Sequence, residues 1–168
     1  MGLDMYAYRL KQEAAPSEQV DVDVAGSALK YLGVQIPELT DEQQQDSEAV
    51  TAYRDRIRQG LERVKNEGVY DPEFDYWRKF NHLHGWMERL YRKKGGANDS
   101  FNCNTVRLMP EDLTQLENEA SGLEATEGFF FGSTAPIDAQ DVAEVFTFTA
   151  KARAAIAEGY AVYYDSWW

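Results

Sequence analysis

The sequence predicts an α+β fold, a small sheet of about four strands with about four helices mainly on one face. Three observations carry this expectation. Apolar residues alternate with period two near both ends of the chain, through Leu3, Met5 and Ala7 and again through Tyr160–Trp168. Between the ends, apolar stripes recur at helical spacing. Glycine, proline and polar clusters separate these segments. The chain has 168 residues, 43% apolar and 13% aromatic. That is enough for one domain over 1–168 with a real interior.

Residues 2–10 read as a strand with Asp4, Tyr6 and Tyr8 on the face opposite Leu3, Met5 and Ala7. Residues 11–39, with Pro16, Gly26, Gly33 and Pro37, read as a long excursion holding little regular structure. Thr40 and Gln43 form a capping box for a long helix over about 41–67, with a stripe of Val50, Tyr53, Ile57, Leu61 and Val64. Asp71-Pro72-Glu73 reads as the opening of a second helix that runs to Lys94 with Phe80, Leu83, Met87 and Leu90 inward. A strand follows over Cys103–Met109, then a helix opened by Pro110 with Leu113 and Leu116 inward, and a short strand at 128–133. A helix over 138–158 faces inward through Val142, Val145, Phe146 and Ile156, Gly159 stops it, and residues 160–168 form the last strand. Strand order does not follow from periodicity.

The net charge of −12 repels phosphate backbones, so direct nucleic-acid binding is not expected. It suits basic protein grooves, which leaves an acidic DNA-mimic inhibitor as one alternative. The 41–67 helix would carry such a mimic, and it interleaves Arg54, Arg56, Arg58 and Arg63 among its acids. One cysteine, Cys103, excludes an intrachain disulfide and fits a reducing compartment. No apolar run is long enough to span a membrane, and the opening residues lack the pattern of a secretory signal, so a cytoplasmic setting is expected.

Four segments resemble a family of small uncharacterised proteins of phages and prophages: Met1-Gly2-Leu3-Asp4-Met5-Tyr6, residues 76–86, Gly128-Phe129-Phe130-Phe131-Gly132-Ser133-Thr134, and Tyr163-Tyr164-Asp165-Ser166-Trp167-Trp168. The pair Asn102-Cys103 also falls where that family places Asp/Asn-Cys. Residues 11–70 match less well, which marks them as a less typical, insertion-like region containing the long helix over about 41–67. The resemblance implies a phage or prophage protein in a bacterial cytoplasm and carries no mechanism with it.

Candidate chemistry is sparse. His82 and His84 point about 200° apart on a regular helix and cannot share a metal. No zinc spacing, phosphate loop, dinucleotide fingerprint or nucleophile elbow is present, so neither metal nor cofactor is expected. Cys103 lacks a positive environment and reads as a small buried hydrophobe. Trp77, Asn81 and His84 lie at i, i+4 and i+7, beside the apolar stripe and so at the edge of the core. Asp4, a strand carboxylate, needs a partner, either a simple pair with Arg78 or a pocket shared by Asp4, Arg78, Asn81 and His84, with Ser133 beside it. Tyr164, Trp167 and Trp168 form a candidate interface. The leading expectation is a non-enzymatic accessory protein that binds a host protein or a second copy of itself. The alternative is a small enzyme or ligand-binding domain built on that pocket.

Overall fold

A computed structural model describes residues 2–127, 132 and 135–168. In chain order the elements are β1 (Asp4–Lys11), α1 (Val24–Tyr31), α2 (Asp41–Gln44), α3 (Ser47–Asn66), β2 (Tyr70–Arg78), α4 (Asn81–Lys93), β3 (Val106–Leu108), α5 (Pro110–Glu119), α6 (Ala139–Ala157) and β4 (Tyr160–Trp167). The strands form one sheet in the order β2-β1-β4-β3, antiparallel at every junction. The α+β expectation is met, with six helices among the described residues.

The two central strands come from opposite ends of the chain. β1 and β4 pair in unbroken register from Asp4↔Trp167 to Lys11↔Tyr160. Because side chains alternate, each strand serves two faces. Leu3, Met5 and Ala7 of the opening segment, with Val162 and Tyr164 of β4, face a main core shared with Leu83, Met87, Leu113, Leu116, Val145 and Phe148 of α4, α5 and α6. Trp77 of β2 meets Phe148 edge-on, centroids 4.8 Å apart. On the reverse face, Leu10, Ala161 and Tyr163 pack under Val24, Ala28 and Val64 from α1 and α3. That smaller layer covers only the Leu10 end of the sheet, but helices flank both faces, α4, α5 and α6 on one and α1 with α3 on the other.

Several elements depart from expectation. The helix expected from Asp71 to Lys94 is two elements, because residues 70–78 form strand β2 and only residues 81–93 are helical. The Asp-Pro-Glu text mimics a helix opening, yet Pro72 sits in an edge strand beside the register shift between Ala7 and Arg9, where a missing N–H is tolerated. Lys79, at φ +58°, makes the turn into α4. The 41–67 helix breaks after Gln44. The Thr40–Gln43 capping box forms, and Asp46 then caps a fresh helix by accepting from Glu48 N. The excursion at 11–39 contains α1, capped by Asp23 accepting from Gly26 N at 2.8 Å. The strand expected from Cys103 shrinks to Val106–Leu108. Phe146 is 48% exposed, and Phe148 takes the core position assigned to it. The α5 and α6 readings hold, the latter capped by Asp138 and followed by Gly159 at φ +89°. The strand expected at 128–133 lies outside the described residues, as does Ser133.

Candidate functional site

The polar residues singled out by the sequence lie on opposite faces of the sheet. Asn81 and His84 belong to α4 and are interior, His84 being 1% exposed. His84 Nδ1 lies 2.8 Å from the Tyr164 hydroxyl, and its ring stacks on Phe101 with centroids 5.4 Å apart. Burial pushes the His84 imidazole down to about 4, so it is neutral at physiological pH. His82 goes elsewhere, to Phe80 and to within 4.0 Å of the Asp141 carboxylate. Trp77 belongs to β2, so no Trp77–Asn81–His84 helical stripe exists.

Asp4 and Arg78 do meet, as direct cross-strand partners with Nε 3.9 Å from Oδ1. Asp4 also accepts from the Tyr76 hydroxyl at 2.6 Å. Both residues sit on the reverse face, because Met5 and Trp77, their neighbours in sequence, point into the main core. The sheet itself therefore separates Asp4 and Arg78 from Asn81 and His84, and a pocket uniting the four is not formed. Clefts exist elsewhere, among them one of ≈ 360 Å³ beside Glu13 and Tyr31 and one of ≈ 250 Å³ between α4 and α5. Neither is lined by those four residues.

The candidate interface also needs correcting. Tyr164 is fully buried, whereas Trp167 is 62% exposed. Trp168 is half-buried and clamped: its backbone N–H donates to Asn102 Oδ1 at 3.0 Å and its indole N–H to Phe101 O at 3.3 Å. Cys103 is exposed at φ +57° rather than buried. Burial, with Asp165 nearby, raises its thiol, which disfavours thiolate chemistry.

What the structure does assemble is an open aromatic surface on the reverse face, beyond the reach of α1 and α3. The register sets two rows across three strands, Tyr76–Tyr6–Asp165 and Arg78–Asp4–Trp167. Tyr76 is 51% exposed, and its ring lies 5.4 Å from that of Tyr6, which stacks in turn on Tyr8. Asp165 accepts from Ser166 N at 2.7 Å and from the Tyr8 hydroxyl, and no ion pair to it is found among the described residues. Burial raises its carboxyl above the usual range. Its charge adds to burial in raising the Tyr8 and Tyr6 phenols, with Asp4 acting on Tyr6 as well.

Alternation alone placed Asp4, Tyr6 and Tyr8 together. That Tyr76, Asp165 and Trp167 join them depends on strand order, which periodicity does not encode. Among the described residues, no group of three or more His, Cys, Asp or Glu is arranged to hold a metal ion, and no helix is long and apolar enough to cross a membrane.

No protein-family model, curated protein or solved structure matches the chain. The open face itself is therefore the guide to function.

Proposed function

We propose that this chain is an accessory protein of phage or prophage origin that works in a bacterial cytoplasm by docking a protein partner on the open end of its sheet. The phage setting rests on the sequence resemblance. The docking reading rests on one observation: Tyr76 and Trp167 stand exposed on either side of Tyr6 on a rigid sheet, a residue class and arrangement suited to interface anchors.

Other surfaces serve less well. Self-association by strand addition is disfavoured, since both sheet edges are obstructed. On β2, Pro72 removes a donor and the Lys151 ammonium donates to the Phe74 carbonyl. On β3, residues 19–21 lie alongside, with Arg107 N donating to Gln19 O at 2.7 Å and Asp21 N to Thr105 O at 3.0 Å. DNA mimicry needs a row of free carboxylates. Around α3 the acids are partly neutralised by Asp55–Arg58, Glu67–Arg63 and Glu73–Lys65 pairs.

The test is affinity capture from a bacterial lysate with wild type and with the Tyr76→Ser/Trp167→Ser double variant. A stoichiometric partner retained by wild type and lost by a folded double variant is expected. Equal capture by both would place docking on another surface and overturn the proposal.

A further inference from the structure

We infer that the partner presents a cationic side chain, arginine or lysine on a basic segment, which seats over Tyr6 beside Asp165. This deepens the docking reading and rests on it.

The argument starts from charge placement. The open face carries two carboxylates, Asp4 and Asp165, and one guanidinium, Arg78. Arg78 and the Tyr76 hydroxyl both engage Asp4. Asp165, on the strand across from Tyr6, accepts from neutral donors, Ser166 N and the Tyr8 hydroxyl, and has no cation among the described residues. It is half-buried, so its charge acts through a medium that screens less than bulk water. A carboxylate held in that way costs stability and is relieved by a counter-charge brought from outside. The rings around it point to the same class of group. Tyr6 lies in register between Tyr76 and Asp165, with Asp4 two residues away on its own strand and Trp167 next but one to Asp165. Aromatic faces attract guanidinium and ammonium groups within about 6 Å, and do so more strongly when the cation is desolvated. Arginine already makes this kind of contact within the molecule, where the Arg9 guanidinium lies 4.8 Å from the centroid of Tyr160.

Competing occupants fit worse. An aromatic sheet face can stack bases, but the acids and the net charge of −12 repel the phosphates that accompany them. A second copy of this chain would bring to the face two more carboxylates and one guanidinium, Arg78, which is already engaged with Asp4.

The experiment uses the full chain, 15N-labelled and titrated at fixed ionic strength. The probes are a blocked peptide of alternating arginine and serine and its glutamine-for-arginine counterpart. The arginine peptide is expected to shift amides of residues 4–8, 76–78 and 165–167, and the glutamine peptide to leave them in place. Asp165→Asn keeps the shape of the side chain and should weaken binding about tenfold, with Asp4→Asn as a second neutralisation of the same face. Asp41→Asn on the distant α2 should leave binding unchanged. Equal weakening by Asp165→Asn and Asp41→Asn, or shifts spread over the whole acidic surface, would overturn the inference in favour of bulk attraction. So would face shifts produced by an oligothymidylate and not by the arginine peptide. If lysate capture depends on Tyr76 and Trp167 while the arginine and glutamine peptides bind alike, docking stands and the cation is wrong. If neither peptide binds and capture fails too, both fall.

Discussion

His84 illustrates how much a single side chain's neighbourhood decides. Its imidazole is sealed between Phe101 and Tyr164, so protonation must place a charge in an apolar interior. The unfolded chain binds that proton near 6.5, the folded chain only near 4. Between those values the unfolded state holds more protons, so stability falls as the pH falls. The full interval corresponds to about 3 kcal/mol. Asp165 acts in the opposite sense: burial raises its carboxyl, so the folded state takes up its proton first and gains as the pH falls through the carboxylate range. The expected outcome is therefore a difference. Urea unfolding of wild type and His84→Gln from pH 7 to pH 4 should show the wild type losing its advantage as pH drops. Parallel profiles would mean that His84 is solvated. Of this environment, the sequence disclosed a polar group at the edge of the core and a carboxylate, Asp4, in need of Arg78. It did not disclose which side of the sheet α4 covers, and that choice set Asp4 and His84 apart.

At the scale of elements, β2 and α4 show where sequence patterns mislead. The stripe Phe80, Leu83, Met87 and Leu90 is a true inward face, buried throughout. Carrying it back to Pro72 fails because Tyr70, Tyr76 and Trp77 are strand-favouring aromatics whose partners lie far away in sequence on β1. Caps and stops, by contrast, depend on neighbours a few residues off, and Thr40–Gln43, Pro110 and Gly159 were legible for that reason. Helix α4 also carries a constraint that spacing cannot express. A Cβ on Gly85 would lie 3.1 Å from Glu124 O and 3.1 Å from Thr126 N, both backbone atoms. Alanine gains about 1 kcal/mol of helix propensity over glycine. Overpacking against backbone costs about 1–3 kcal/mol, and the Thr126 N to Asn81 O hydrogen bond is strained as well. The cost wins: Gly85→Ala should lower thermal stability, and an unchanged or raised Tm would mean that the 124–126 segment yields freely.

For the molecule as a whole, the governing fact is that the first and last strands are neighbours at the centre of the sheet. Such a pairing has high sequence separation, and loop closure must precede its reward. A circular permutant that links residues 168 and 2 through a short glycine-serine linker and opens the chain within the exposed 35–39 segment would turn β1 and β4 into a local hairpin. It should refold faster than the parent in stopped-flow tryptophan fluorescence, at similar equilibrium stability. An unchanged rate would show that the β1–β4 pairing forms after the rate-limiting step. The adjacency also bears on synthesis. Until residue 167 clears the ribosome, β1 has only β2 to pair with, so the Asp4–Lys11 edge that β4 later covers stays open while helices α1 to α6 are being made.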